Sequence, residues 1–222
     1  MKKILLFLLS IGFLASSSSA LSQEKTTSVL SIKAALSDKP ESPALLSDLG
    51  LAYLKAKKYQ KAITPLEQAL KLRKGDFKSH FYLALAYGAV GRHPEKLEEL
   101  QKTLRLNPNY PEANFKIGLA HAALNRHQEA SEYYRKAIQL EPDNSDSHYF
   151  LALSCFLSHR YQESLSAIRE SIRLNPKNAE AHYTLGQIYM KLGYYKKAIS
   201  PLQAAMKIHP ELAQKKIQIP LR

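Results

Sequence analysis

Three histidines occupy equivalent positions in the sequence, and histidine is a common metal ligand and proton carrier. His80, His148 and His182 are separated by multiples of 34 residues. Repeated elements that stack place equivalent residues about 8–10 Å apart, the spacing of packed helices, so these side chains are too far apart to share one metal ion. We predict that they pack between helices, as His93 and His127 do in a second shared column. No metal site is predicted.

The sequence offers little for nucleophilic or acid–base catalysis. Cys155 is the one cysteine, which excludes an internal disulfide and a multi-thiolate zinc site, and we expect a buried, inert thiol. Glu98 and Glu99 are adjacent on a predicted helix and point apart. The chain has no nucleophile elbow, phosphate loop, zinc-protease helix or dinucleotide-binding glycine motif. We predict a protein that is not an enzyme, with no cofactor and no small-molecule substrate.

The elements that carry these residues repeat every 34 residues. An aliphatic residue recurs once in each repeat, at Leu49, Leu83, Ile117, Leu151 and Leu185. A small residue follows each of them: Gly50, Ala84, Gly118, Ala152 and Gly186. Four of the five repeats end in a proline, at Pro108, Pro142, Pro176 and Pro210. A fixed period of this size indicates a stack of similar units.

Each repeat has the apolar spacing of two helices. Leu83 and Tyr87 share one helical face, and Leu100 and Leu104 share another. A turn is predicted between the helices, at Lys57, Gly91, Asn125, His159 and Gly193. The prolines end the second helix, because the residue before proline avoids helical angles. The small residues allow the two helices of a repeat to cross closely.

These columns resemble the tetratricopeptide repeat family, and the resemblance extends over residues 43 to 212. The family pattern is most complete in the last repeat, in Leu185, Gly186, Tyr189, Ala198, Ala205 and Pro210. Lys96 and Ser164 depart from it where the second helix has alanine, and Lys74 replaces the first proline. The resemblance implies an all-α, right-handed superhelical solenoid of antiparallel helix pairs, and a scaffold for binding proteins and peptides.

Four segments are predicted along the chain. Residues 1–20 form a signal peptide, and residues 21–42 form an N-terminal segment with a capping helix. Five repeats follow, at residues 43–76, 77–110, 111–144, 145–178 and 179–212. Residues 213–222 form a basic C-terminal tail.

The family resemblance also implies a binding groove, because the first helix of each repeat lines the concave face in that family. The inward-facing columns are aromatic and apolar: Phe81, Leu85, Phe115, Leu119, Tyr149, Leu153, Phe156, Leu157, Tyr183, Gln187 and Met190. Such a strip suits an amphipathic helix or an apolar peptide. The alternative is that the aromatic rings only cover neighbouring helices.

The chain is strongly basic, with a formal net charge of +13. Lys55, Lys57, Lys58 and Lys61 form a predicted basic patch in the first repeat. This charge either keeps the surface solvated or attracts an anionic partner. Nucleic acid is not an expected partner, because no nucleic-acid-binding motif accompanies the charge and the chain carries an export signal.

These observations predict a protein-interaction scaffold or assembly factor of the cell envelope, with another protein as partner. Two alternatives remain open: association of the basic ends with an anionic lipid or glycan surface, and an accessory role in an envelope enzyme. The first twenty residues predict export to the periplasm or beyond. Lys2 and Lys3 precede an apolar run from Ile4 to Leu14, and Ser18 and Ala20 form a small-residue cleavage pattern.

We expect the mature protein to begin near Leu21, because the apolar run is short for a membrane-spanning helix and suits a cleaved signal. Intact-mass and N-terminal peptide measurements on the native protein check this. Recovery of Met1 in a membrane fraction would instead show an uncleaved anchor.

Overall fold

The computed structural model describes residues 28–214, and all the secondary structure in that range is helical. The α-helices are α1 (residues 28–38), α2 (Pro43–Lys55), α3 (Tyr59–Leu72), α4 (Phe77–Ala89), α5 (His93–Leu106), α6 (Pro111–Ala123), α7 (His127–Leu140), α8 (Ser145–Leu157), α9 (Tyr161–Leu174), α10 (Ala179–Lys191) and α11 (Tyr195–Ile208). A 3₁₀ helix spans Pro210–Gln214. The predicted signal peptide lies outside the described residues, as does most of the predicted tail.

The chain divides into two compact units, an N-terminal unit of Met1–Pro108 and a C-terminal unit of Asn109–Arg222. The described part of the N-terminal unit contains α1 to α5, and that of the C-terminal unit contains α6 to α11. Within each unit every helix packs on its neighbour in the chain. The first helices of successive repeats also touch: α2 contacts α4 in one unit, and α8 contacts α6 and α10 in the other.

Local sequence explains where the helices begin and end. Asp76, Asn144 and Asn178 cap first helices, because their side chains accept hydrogen bonds from backbone N–H groups two or three residues further on. The predicted turn positions all have positive φ, between 57° and 82°: Lys57, Gly91, Asn125, His159 and Gly193. The predicted turns are therefore confirmed.

The second helices end in one backbone conformation, whether or not a proline follows. Asn107, Glu141 and Asn175 precede prolines and have φ from −134° to −138° with ψ from 83° to 90°. Arg73 precedes Lys74 and has φ −138° and ψ 85°. Proline is therefore compatible with this conformation but is not required for it.

The two helices of a repeat meet at the small residue of the first helix. A Cβ atom added to Gly118 would lie 2.6 Å from Cε1 of Tyr134, and one added to Gly50 would lie 2.3 Å from Cγ of Leu66. Ala84 and Ala152 fill the same column in other repeats and are fully buried. The predicted close crossing is confirmed at Gly118.

The core of the N-terminal unit extends into α1. Val29 is buried there with Leu49 and Tyr53, and Ile32 and Leu36 pack beside it. The helix predicted to cap the first repeat therefore covers an apolar face that would otherwise be exposed. None of the helices in residues 28–214 combines the length and the apolar character that crossing a bilayer requires.

Replacing Gly118 by leucine should destabilise the protein more than His148→Ala does. Leucine favours a helix over glycine by about 1 kcal/mol, but the added side chain must displace the buried Tyr134 ring, and overpacking a core costs about 1–3 kcal/mol or more. Losing the one hydrogen bond of half-buried His148 costs about 1 kcal/mol. Urea unfolding midpoints compare the two variants.

Gly75→Leu is the matched control, because a Cβ atom added at Gly75 has no heavy atom within 4 Å. It should change the free energy of unfolding by about 0.5 kcal/mol or less. A smaller effect for Gly118→Leu than for this control would contradict the packing described above.

Candidate peptide-binding surface

The candidate surface of the C-terminal unit lies on its three first helices. Spacings of three or four residues align the predicted groove positions on each helix: Phe115 and Leu119 on α6, Tyr149, Leu153, Phe156 and Leu157 on α8, and Tyr183, Gln187 and Met190 on α10. Leu157 is exposed, with 47% of its surface accessible, and the others are half-buried. We call these residues the first-helix surface.

Aromatic rings form the inner layer of this surface. The Phe115 ring lies 5.7 Å from that of Tyr134 and 5.5 Å from that of Phe150, and the Tyr149 ring meets Phe150 edge-on at 5.1 Å. Burial raises the pKa of the Tyr149 hydroxyl, and a hydrogen bond with Thr184 of the neighbouring helix opposes this rise. These rings therefore hold the first helices together, as the alternative interpretation of the aromatic column proposed.

Two leucines differ from this aromatic layer. Leu153 and Leu157 lie one turn apart on α8 and are not among the residues packed against the core around Tyr134 and Cys155, whereas Phe115, Leu119 and Phe156 are. Leu157 is exposed and Leu153 is half-buried, so both leave some apolar surface in contact with solvent. The outer part of the first-helix surface is therefore apolar and partly open to solvent.

In the N-terminal unit the predicted groove positions are less accessible. Phe81 is buried, with 6% exposed, so little of its side chain is available to a ligand. Leu85 is half-buried. Ser47 occupies the same column one repeat earlier, and its hydroxyl forms a buried hydrogen bond of 2.7 Å with that of Ser79. The sequence alone does not predict that Phe81 is buried, because its burial depends on the neighbouring helices.

The predicted basic patch lies at the turn between α2 and α3. Lys55 ends α2, Lys57 and Lys58 form the turn, and Lys61 lies in the first turn of α3. All four side chains are exposed, and no acidic group in the described part of the chain pairs with them. The patch thus presents unneutralised charge to solvent.

The histidine column closes the loops between repeats. The Nε2 atoms of His80, His148 and His182 lie 3.0, 2.8 and 2.9 Å from the backbone carbonyl oxygens of Lys74, Pro142 and Pro176. The ring N–H donates in each case, because a carbonyl oxygen only accepts. The sequence columns predict packing alone and give no sign of this hydrogen bond, which spans six residues and recurs at each of the three histidines.

A family model described as "Tetratricopeptide repeat" matches residues 28–77 and 81–145, together more than half of the chain. The chain belongs to the tetratricopeptide repeat family. A second model, described as "Anaphase-promoting complex, cyclosome, subunit 3", matches residues 123–205. No enzyme family is among the matched models, and no curated protein sequence matches the chain.

Solved structures show the same fold. YrrB, described as "a TPR protein with an unusual peptide-binding site", is 18% identical over 83% of this chain and 98% of its own, with a TM-score of 0.73. MamA from Desulfovibrio magneticus RS-1 is 18% identical over 78% of this chain and 97% of its own, with a TM-score of 0.70. A further crystal structure of MamA is 21% identical over 75% of this chain and 97% of its own, with a TM-score of 0.68. The predicted all-helical solenoid class is therefore confirmed, and tetratricopeptide repeats are typically interaction modules without catalytic residues.

The surroundings of Cys155 do not favour a reactive thiol. Cys155 is fully buried in the column where three other repeats have tyrosine and the third repeat has His121. Burial raises the pKa of its thiol to about 11, with a further contribution from Glu163, so the reactive thiolate is scarce at neutral pH. In the described residues, no group of three or more histidine, cysteine, aspartate or glutamate side chains could hold a metal ion.

The N-terminal unit buries one charged network. His80 Nδ1 lies 2.5 Å from Oε2 of Glu99, and Glu99 also accepts a 2.7 Å hydrogen bond from Lys102. Both ring nitrogens of His80 therefore face oxygen atoms that accept, which favours the doubly protonated ring. Nineteen residues separate His80 from Glu99, and no sequence motif signals their pairing.

The pKa values of the pair reflect this geometry. Burial alone would lower the pKa of His80, but the hydrogen bonds to Glu99 and to the Lys74 carbonyl together raise it above 6.5. Burial alone would raise the pKa of Glu99, but the hydrogen bonds from His80 and Lys102 lower it below 4.5. The stabilisation from His80 is complete below its ordinary pKa and is lost as pH rises through the raised value. The stabilisation from Glu99 is present above its ordinary pKa and is lost as pH falls through the lowered value.

Glu99→Gln should therefore lower the free energy of unfolding most between about pH 4.5 and 6.5. This range lies above the ordinary pKa of Glu99 and below that of His80, so both groups contribute their full stabilisation there. We expect a loss of about 1–3 kcal/mol in the free energy of unfolding there, and this loss shrinks as the pH rises through the raised pKa of His80. Urea unfolding at a series of pH values measures it. The control is Glu98→Gln, which also removes a bond to Lys102 but lies at the surface. A loss that does not vary with pH would contradict the assignment.

Proposed function

We propose that this protein is a non-catalytic scaffold or assembly factor that binds an apolar peptide or helix of another protein on the first-helix surface. The observation that carries the proposal is the pair Leu153 and Leu157, which lie one turn apart on α8. Leu157 is 47% exposed and Leu153 is half-buried. Apolar side chains in consecutive turns match the one-sided spacing of an amphipathic helix or the alternate residues of an extended peptide.

The ligand chemistry follows from the rest of the surface. Gln187 and Met190 lie half-buried on the neighbouring helix α10, so an apolar contact is flanked by a polar amide and a flexible thioether. Methionine adapts to differently shaped partners. The described peptide-binding site of YrrB, a protein of the same fold, supports a peptide as the ligand class.

The proposed place of action is the cell envelope, after cleavage near Ala20. The support comes from the order of charge, apolar run and small residues at positions 1 to 20. A partner in this compartment is an exported protein or the exported segment of a membrane protein.

Leu153→Ser combined with Leu157→Ser tests the proposed surface. Peptides selected from a random display library against the mature protein provide the probe, and fluorescence anisotropy gives their Kd. We expect the double variant to bind apolar peptides about tenfold more weakly or worse, because losing part of one buried leucine already costs about 1.5 kcal/mol. Circular dichroism should be unchanged.

Leu140→Ser is the matched control, because Leu140 is an exposed leucine at the end of a second helix. It should bind the selected peptides as the unchanged protein does. Equal loss in the control and in the double variant, or no loss in either, would remove the first-helix surface as the binding site.

A second candidate function rests on the exposed lysines between α2 and α3. They would attract anionic lipid or glycan, and this attraction weakens at high salt because mobile ions screen it. Apolar peptide binding persists at high salt. Sedimentation with vesicles containing anionic lipid, at about 0.05 and 0.5 M salt, separates the two functions.

A further inference from the structure

The N-terminal unit contains a cavity lined mainly by its second helices, and the predicted groove positions Phe81 and Leu85 are not in its lining. Its volume is about 380 Å³, within the range of small-ligand sites. Helices α3 and α5, the loop before α4 and one residue of α4 form its walls. The lining residues are Leu70, Lys74, His80, Lys102, Arg105 and Leu106.

Every ionisable side chain in this lining is basic. Lys102 is bonded to Glu98 and Glu99, and His80 is bonded to Glu99. Within the described residues, no acidic group pairs with Lys74 or Arg105, and both are exposed at the rim. The cavity therefore has two available cations, while its nearest carboxylates are already engaged.

The rest of the lining is aliphatic. Leu70 is buried, with 8% exposed, whereas Leu106 is 46% exposed at the end of α5. An exposed leucine beside a buried one gives an apolar wall that a ligand's aliphatic group can cover. A free inorganic anion would leave this wall in water.

The C-terminal unit has a cavity at the same repeat position with different charges. It measures about 430 Å³, and its Ile138, His148 and Glu170 correspond to Leu70, His80 and Lys102. Arg135 of that cavity is paired with Glu163. The excess of unpaired positive charge is therefore a property of the N-terminal cavity and not of the repeat architecture.

We propose that the N-terminal cavity binds a glutamate or aspartate side chain of a partner protein, flanked in sequence by an aliphatic residue. The carboxylate pairs with Lys74 and Arg105, and the aliphatic side chain covers Leu70 and Leu106. Charge complementarity selects the carboxylate, because arginine binds it through two parallel hydrogen bonds. This site is separate from the first-helix surface and does not depend on the proposed function.

Isothermal titration calorimetry of the mature protein tests the site with a defined probe. The probe is an acetylated, amidated peptide of sequence Ala-Leu-Glu-Leu-Ala, compared with its glutamine counterpart. We expect the glutamine peptide to bind about tenfold more weakly, because charged hydrogen bonds are about twice as strong as neutral ones. Equal affinity of the two peptides would overturn the proposal.

Lys74→Gln combined with Arg105→Gln should weaken binding of the glutamate peptide by about tenfold or more. The control is Lys71→Gln combined with Lys78→Gln, which removes the same charge from exposed lysines outside the lining. The control should keep its affinity within about twofold. An equal loss in the control would mean general attraction to a basic unit and would overturn the site.

Two further titrations distinguish other occupants. If the glutamine peptide with a free C-terminal carboxylate binds more tightly than the glutamate peptide, the site recognises a chain terminus and the side-chain proposal is wrong. If inorganic phosphate alone binds as tightly as the glutamate peptide, the aliphatic wall plays no part and the proposal is overturned.

The Leu153→Ser and Leu157→Ser variant should bind the glutamate peptide normally, which separates this site from the first-helix surface. The single variants Lys74→Gln and Arg105→Gln are measured too, so that a folding defect of the double variant does not decide the result.

Discussion

Close approach of the two helices within a repeat is the constraint on which the rest of the structure depends. At Gly118 the backbone of α6 lies against the Tyr134 ring of α7, with no room for a Cβ atom. A larger residue there would separate the helices and change which side chains reach the next repeat. Because repeats of this kind are stable only through contacts with their neighbours, a shift at one crossing weakens the adjacent interfaces as well.

The close crossing of the two helices also determines which faces of a repeat are buried and which remain for other contacts. Side chains that face the partner helix fill the core, while the first and second helices keep their remaining faces for other contacts. In the C-terminal unit this leaves Leu153 and Leu157 over a layer of packed aromatic rings. In the N-terminal unit it leaves a cavity with Lys74 and Arg105 at its rim. The two proposed binding sites thus use different helices and different physical interactions.

Equivalent positions in different repeats have acquired different chemistry without a change of backbone. His80 and His148 both donate to a carbonyl oxygen six residues earlier. Glu99 joins His80 in a buried charged network, whereas the equivalent Ala167 leaves His148 without such a partner. A buried pair is weak evidence for added stability, because desolvation offsets much of the attraction. Its contribution here is a pH-dependent stability confined to one repeat.

The sequence by itself determined the period, the two helices of each repeat and the turns between them, because these depend on local spacing and on residues that tolerate positive φ. Lys57 and His159 were identified as turn residues only through their alignment with Gly91 and Gly193. The family and the close crossing at Gly118 followed from the same columns.

Tertiary structure decided which side chains remain accessible. Phe81 is buried although it shares a column with half-buried Phe115. Phe150 joins the aromatic layer although its position was not among the predicted groove positions. The contact between His80 and Glu99 and the cavity beside it likewise depend on which helices pack together, since burial and electrostatic pairing are properties of neighbours in space rather than of neighbours in sequence.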